Sequence, residues 1–352
     1  MRRLIRLAAF GAAVLTVAGA AACGGTGSSS SSTAGGGSKT VTVYSADGLA
    51  DWYTPQFQAF QAKTGIKVQY VEAGSGEVVS RVEKEKSNPQ ADVMVTLPPF
   101  IQTAASKGLL QPATVPGADQ VPAGSKDSSG KYIALVNNYL CFIYNPQTTP
   151  APATWEDLLG SRFKGKIQYS TPGQAGDGTA VLIQLQHVLG AQPALDYLKK
   201  LQANNVGPSS STGKLQPKVS NGEILIANGD VQMNLASINN DKSNFKIFFP
   251  ADASGKKSTF ALPYYMGLAA GAPHADAGKK LMEFLLGTDA QQAVSKAAYG
   301  LPVRSDVTPA DANYQAVQAA MSGVDVWNPD WTSIAANLDS QVAAYNKALG
   351  LS

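Results

Sequence analysis

The chain has 352 residues, 28 Lys and Arg against 25 Asp and Glu, and a formal net charge of +3; this length suits two domains at about 100–200 residues each. Three of the positive charges, Arg2, Arg3 and Arg6, lie in residues 1–22, which hold no acid, so the remainder balances at 25 against 25 and argues against nucleic-acid binding, which needs clustered Lys/Arg. With 44% hydrophobic and 15% charged residues the chain can bury real cores and is not compositionally disordered.

A short basic start, an apolar stretch from Leu7 to Ala22 and the small residues Gly19-Ala20-Ala21-Ala22 read as a signal peptide over 1–22. The stretch is shorter than the ~20 residues a membrane span needs. Small residues directly before Cys23 resemble a bacterial lipobox, although Ala20 stands where Leu is commonest, and Cys23 is the expected lipidation site. Residues 23–40 are almost pure Gly, Ser, Thr and Ala and suit a flexible tether. Cys141 is then the one cysteine of the folded part; flanked by Leu140 and Phe142, it reads as a buried apolar filler.

From Val41 onward strands and helices alternate. Val41 to Ser45 reads as a strand, Asp51 to Lys63 as an amphipathic helix stopped by Gly65, and Ile66 to Val71 as a second strand. Gly74-Ser75-Gly76 reads as a turn, Glu77 to Lys86 as a helix, Ala91 to Val95 as a third strand and Phe100 to Lys107 as a helix. The same alternation runs through Ile167–Tyr169, Thr179–Leu189, Ala194–Ala203 and Gly222–Asn228. The pattern predicts an α/β protein with largely parallel sheets, whose ligands sit beyond the carboxyl ends of the strands. Tyr132–Tyr144 and Phe260–Ala270 read as long crossover strands. They divide the chain into one lobe from 41–135 and 265–308 and another from 139–262 and 309–352, with a cleft that can close by hinging.

Five loops carry ligand-competent residues: Ser45-Ala46-Asp47-Gly48, Gly74-Ser75-Gly76, the run from Ser170 to Thr179 with Asp177 and Gly178, Ser209 to Gly213 with Ser211 and Thr212, and Asn228-Gly229-Asp230 leading to Gln232 and Asn234. Helix N-termini among Gly, Ser and Thr favour anions, but each loop alone reads more readily as an ordinary cap or turn, and several facing one cleft shift that balance toward a ligand. Gly160 to Lys166 has P-loop spacing, yet Ile167 replaces the required Ser or Thr. His187 and His274 form no metal-ligand pair, and no Gly-x-Ser-x-Gly elbow occurs. Tyr264 and Tyr265 could suggest ferric iron, but adjacent strand residues point to opposite faces, so one ring at most is expected in the cleft.

The runs Val43-Tyr-Ser45, Asn88-Pro-Gln-Ala-Asp-Val93, Asn138-Tyr-Leu140, Gln168-Tyr-Ser-Thr-Pro-Gly-Gln-Ala175, Asp177-Gly-Thr-Ala180, Leu201 to Pro208, Ser211-Thr-Gly-Lys-Leu215, Ala227-Asn-Gly-Asp230 and Pro302 to Pro309 closely resemble the substrate-binding proteins of 2-aminoethylphosphonate ABC importers. The resemblance spans Val41 to about Trp331. It implies a two-lobe periplasmic-binding-protein-like fold (type II) with two crossover hinge strands, no catalysis and no cofactor or metal. The implied partners are a small phosphonate ligand and an ABC permease with its ATPase. A monomer is expected, without nucleic acid, exported across the cytoplasmic membrane and held to its outer face by lipid only. The tyrosine pair of the related ferric-binding proteins corresponds to Leu235-Ala-Ser-Ile-Asn239, which lacks tyrosine.

On this reading the phosphonate meets Ser45, Ser75 and Gly76 from one lobe and Gly178, Thr179, Ser211 and Thr212 from the other, by charge-assisted bonds. The ammonium meets Asp47 first and Asp177 second, with Asn234, Tyr264, Tyr265 and Trp52 as polar contact or cation–π walls. Turn and helix capping are competing roles for Asp47, Asp177, Ser211 and Thr212. Another solute on the same fold (phosphate, another phosphonate, ferric iron) and a secreted phosphonate or phosphate-ester hydrolase are the alternatives.

Overall fold

The computed structural model describes residues 38–351. The expected signal peptide, Cys23 and most of the expected tether lie outside them. β1 (Thr40–Ala46) leads to α1 (Ala50–Thr64), which ends at Gly65 with φ of 73°, a left-handed geometry that glycine takes without a Cβ clash. β2 (Lys67–Ala73), α2 (Ser75–Lys84), β3 (Val93–Thr96), α3 (Phe100–Ser106), β4 (Leu110–Gln111) and β5 (Ile133–Val136) follow. The chain then builds β6 (Leu140–Tyr144), β7 (Ile167–Gln168), α4 (Gly176–Leu189), α5 (Ala191–Leu201), α6 (Gln216–Ser220), β8 (Ile226–Asp230), α7 (Val231–Asn239), β9 (Lys246–Phe248) and β10 (Ser258–Phe260). It returns through β11 (Tyr264–Ala269), α8 (Ala275–Leu286) and α9 (Thr288–Ala298), and finishes with α10 (Ala312–Ala320), β12 (Asp325–Trp327) and α11 (Trp331–Leu349).

Two mixed sheets result. The first runs β2-β1-β3-β11-β4 with β5 also on β11, and the second β7-β8-β6-β9. β1 is parallel to β2 and β3, and β7 to β8, but β11 is antiparallel to β3, β4 and β5, and β6 to β8 and β9. The expectation of largely parallel sheets is therefore corrected, and the reason is geometric. β1, β3 and β8 run toward the space between the sheets and turn there, whereas β6 and β11 enter from that space and run outward. Tyr265 accordingly stands opposite Thr96 at the end of β3, and Leu140 opposite Asp230 at the end of β8.

A further two-stranded parallel sheet joins β10 and β12. The first long strand-like run is interrupted at 137–139, between the first sheet and the second, and the other at 261–263, between β10 and β11 of the first sheet. Pro263 has no N–H for a ladder. The two passages pair through Tyr139 and Ala261, and a third segment joins them where Asn137 and Leu301 exchange backbone bonds of 2.8 and 2.9 Å. β3 and β11 are buried at every position, as strands covered on both faces must be: α2 lies on β1 and β3, and α8 on β1 and β11. α11 lies against both α5 and α3, so the C-terminal helix touches elements beside both sheets rather than the second alone.

Ser75 and Gly76, expected in a turn, form the first turn of α2. Gly76 N donates to Gln174 O at 2.8 Å, and a Cβ at Gly76 would stand 2.5 Å from Gly173 O. Only a bare α-carbon permits this approach between α2 and the loop before α4. Gly76→Ala is expected to lower the melting temperature, because the new Cβ meets the Gly173 and Gln174 carbonyls, and the helix-interior preference for alanine of about 1 kcal/mol does not offset a backbone clash in the first turn. The same change should hold the two sheets apart, read as a larger radius of gyration by X-ray scattering and a ligand affinity at least tenfold weaker.

Candidate functional site

The carboxyl ends of β1 and β8 face each other, and so do the N-termini of α2 and α4. Asp47 follows β1 directly. Its Oδ2 accepts from Ser211 Oγ at 2.5 Å and Gly213 N at 3.1 Å, both on the 209–213 loop beyond the second sheet. Tyr264 Oη donates to Asp47 O at 2.8 Å, and Gln232 Nε2 from α7 donates to Gly48 O at 2.9 Å and to Ala298 O at 2.7 Å. Gly48 has φ of 114°, and a Cβ there would lie 2.3 Å from Tyr264 Oη, so the turn after Asp47 requires glycine on both conformational and steric grounds. These bonds hold the cleft closed.

Three carboxylates converge beneath that closure. Asp47 as a residue is half-buried, yet its carboxylate is enclosed, and burial raises its pKa against the bonds from Ser211 and Gly213. Asp177, in the first turn of α4, is 3% exposed, and its pKa is raised to about 7 by burial and then by the charge of Asp47, against a hydrogen bond from Thr212. Asp230 is fully buried at the junction of β8 and α7. Its Oδ1 caps Met233 N at 2.7 Å, while burial and the charge of Asp177 push its pKa well up. Asp177 Oδ1 and Asp230 Oδ2 have no hydrogen-bond partner among the described residues. Like charges this close in a low-dielectric site cannot all ionise without a cation.

Beside this acidic half lies a donor half. Ser75 Oγ is buried and unpartnered among the described residues, and a Cβ on Gly176 would come within 2.7 Å of it. The first amides of α4, at Gly176, Asp177 and Gly178, lack intrahelical acceptors by helix geometry and carry the positive end of the dipole. Gly178 packs so closely on the Ser170 carbonyl that a Cβ would sit 2.1 Å away. Thr212 Oγ1 is 3.0 Å from Ser170 Oγ, and Asn228 holds Ser170 through bonds of 2.8 and 3.0 Å. The arrangement can hold a small molecule with a cation at one end and an anion at the other.

Several residues singled out from sequence lie elsewhere. Trp52 is fully buried beside α9, its Nε1 donating to Ala290 O at 3.0 Å. Tyr265 points to the opposite face from Tyr264 and packs edge-on against Tyr132. Asn234 lies on the far side of β6, accepting from Gln216 Nε2 and donating to Cys141 Sγ; α7 starts immediately at Asp230, and its next turn carries Asn234 away. The Gly76 amide is taken by Gln174, and the Thr179 hydroxyl bonds Ala175 O and Gly173 N, both at 2.9 Å. Ser45 Oγ is likewise engaged, with Ala46 O and Tyr53 Oη. Sequence reasoning placed Asp230, Gln232 and Gly213 in ligand-competent loops but assigned none of them a contact. The available signal for Asp230 was an acid at a strand end two residues after Asn228, which reads equally as a helix cap. Among the described residues no group of three or more His, Cys, Asp or Glu could hold a metal ion.

A hinged pair of sheets closing over a polar cleft at strand ends defines an extracytoplasmic solute-binding protein. The model of the bacterial extracellular solute-binding protein family matches residues 56–322, and the chain belongs to that family. It is 53% identical over 313 residues, 87% of this chain and 91% of the relative, to a Salmonella paratyphi A protein named "Putative 2-aminoethylphosphonate-binding periplasmic protein". A Salmonella typhi protein of the same name is 52% identical over 313 residues, with the same shares covered. Among solved structures, the periplasmic binding protein AfuA of Actinobacillus pleuropneumoniae, with fructose-6-phosphate bound, aligns with TM-score 0.76 at 20% identity over 90% of this chain and 100% of its own. The ferric binding protein of Campylobacter jejuni aligns with TM-score 0.72 at 24% identity over 88% and 99%. These two likenesses show the fold.

The raised Asp177 pKa gives a signed pH dependence. Above the ordinary carboxylate range the unfolded chain ionises Asp177 while the folded chain keeps its proton, so the unliganded protein loses stability as pH rises from about 4 to about 7. A cationic ligand favours the ionised form and therefore releases a proton on binding. Asp177→Asn should flatten the stability slope over that range in thermal melts and remove the corresponding proton release measured by calorimetry in buffers of different ionisation enthalpy.

Proposed function

We propose that the chain is the substrate-binding component of an ABC importer, capturing 2-aminoethylphosphonate between its lobes and delivering it to the permease and its ATPase. The observation that carries this reading is the two-ended cleft. Asp47, Asp177 and Asp230, with Tyr264 beside them, form a buried acidic half suited to an ammonium. The Ser75 hydroxyl and the first-turn amides of α4, with Ser211 and Thr212 nearby, form a donor half suited to a phosphonate. 2-Aminoethylphosphonate places these two charges two carbons apart. Relatives of 52–53% identity carry that ligand in their names.

The donor half named above is built of hydroxyls and amides, and the exposed Lys214 acts on Asp47 at the other end, so the anion is met by dipoles and hydroxyls at short range. Such donors are strong when the acceptor is charged and water is excluded. Holding the ligand from both lobes gives the closed form the higher affinity, which is what drives closure. Lobes of 41–135 with 265–308 and of 139–262 with 309–352, the hinge at the passages between the sheets, and α11 lying across both, complete the reading. The protein is a non-catalytic monomeric carrier, and Cys23 holds it by lipid to the outer face of the cytoplasmic membrane.

Calorimetry on the mature protein tests this. 2-Aminoethylphosphonate is expected to bind one to one without release of inorganic phosphate, with ethylphosphonate, phosphate and Fe(III) far weaker. Asp47→Asn should weaken it by about 3 kcal/mol, or about 100-fold, by removing one side of a buried charge pair. Binding of Fe(III) alone, or phosphate release in place of stoichiometric binding, would overturn the reading.

A further inference from the structure

Asn138 lies between β5 and β6, in the first passage from one sheet to the other. Its backbone is anchored, with Asn138 O accepting from Leu262 N at 2.9 Å. Its side chain is not. The residue is 2% exposed, yet neither Oδ1 nor Nδ2 has a hydrogen-bond partner among the described residues. Native folds rarely leave a buried amide wholly unpartnered, because it has lost its water and gained nothing in return.

The pleat gives its direction. Tyr139 and Cys141 join the apolar cluster around Val231 and Val317, whereas Leu140 and Phe142 join the larger core, so odd and even positions lie on opposite faces. Asn138 and Leu140 share the even face. Leu140 stands opposite Asp230 in the antiparallel register, and residues directly opposite share a face. Asp230 in turn carries the unpartnered Oδ2 of the acidic half. Asn138 precedes β6 in the interrupted passage, but the bridges at Asn137 and Tyr139 on either side keep the backbone extended, so the alternation carries its carboxamide to the Asp230 side, where β6 enters from the cleft.

Charge counting explains why an amide would stand there. An ammonium offers three N–H donors but a single positive charge. Three ionised carboxylates would satisfy the donors and leave excess negative charge buried, at high cost. A carboxamide oxygen accepts one N–H without adding charge.

We infer that Asn138 is a specificity-determining contact for the cationic end of the ligand, its Oδ1 accepting from the ammonium as a neutral partner to the carboxylates. The inference rests on the functional reading above. Because Asn138 sits on the passage between the sheets, the contact ties recognition of the amine to the hinge itself, and an anion lacking the amine does not engage it.

Asn138→Leu and Asn138→Ala remove the amide, the first at similar volume and the second without adding bulk. Both are titrated with 2-aminoethylphosphonate and with ethylphosphonate, and melted with and without ligand. Affinity for 2-aminoethylphosphonate should fall at least tenfold and that for ethylphosphonate should stay within about twofold. The unliganded melting temperature should hold or rise, since an unpartnered buried polar group is gone, while the upward shift caused by 2-aminoethylphosphonate shrinks. Wild-type-like affinity for the amine ligand in either folded variant overturns the inference. So does an equal loss for both ligands, or a fall in unliganded melting temperature with an unchanged ligand-induced shift, which would mark a structural role. A wild-type protein that binds no 2-aminoethylphosphonate overturns the functional reading as well, so the two failures are distinguished by the wild-type titration.

Discussion

The Asp47 carboxylate, receiving Ser211 and Gly213 from across the cleft, is the contact on which the closed form depends. It is the point where the first sheet touches the 209–213 loop through a charge, and it is enclosed by the closure it makes. A carboxylate held by two donors from the opposite side is stabilised only while both sides are together. Tyr264 and Gln232 bond the backbone of the same turn, so the turn after β1 is fixed from β11 and from α7 at once. A change that moves this turn moves the cleft.

Closure also has a cost built into the same residues. Asp177 and Asp230 are buried near Asp47: the charge of Asp47 makes ionisation of both less favourable, and that of Asp177 does the same to Asp230. In the absence of a cation, burial raises the pKa of all three carboxyls and the neighbouring charges raise those of Asp177 and Asp230 further, which favours their protonated forms and lessens the repulsion. A bound ammonium changes that balance, because a positive charge in a low-dielectric cleft favours the ionised carboxylates strongly. The ligand thus stabilises the very state that would otherwise suffer from like-charge repulsion. On the proposed function, the acidic half discriminates against simple anions, and the donors at Ser75 and the start of α4 against simple amines.

The mixed sheets are what bring these parts together. β6 and β11 have to run outward from the cleft if β1, β3 and β8 run into it, and their antiparallel pairing sets Leu140 beside Asp230 and Tyr265 beside Thr96. The alternation of strands and helices in the sequence indicated an α/β fold and a ligand at strand ends. It could not reveal strand direction, because a crossover strand has the same β-branched, apolar composition as a parallel one. The tyrosine pair illustrates the same limit in miniature. Period-two alternation said that one ring would face the cleft, and only the pairing of β11 chose Tyr264, whose hydroxyl reaches Asp47.

Local chemistry determined what could be read from the chain by itself: strands from alternation, the end of α1 from Gly65, the class of fold from element order, and Asp47, Asp177, Ser75 and Ser211 as ligand-competent groups because they stand in loops at strand and helix ends. Such features depend on residues within a few positions of one another. Tertiary structure decided the rest. It placed Trp52 in the core of the first lobe and Asn234 behind β6, spent the amide of Gly76 and the hydroxyl of Thr179 on the loop before α4, and gave contacts to Asp230, Gln232 and Gly213, which the loops had offered without a role. Those outcomes depend on register and on which groups find partners from elements scores of residues away. Whether a polar group is free to meet a ligand is a property of its surroundings, and the surroundings exist only once the sheets are paired and the cleft is formed.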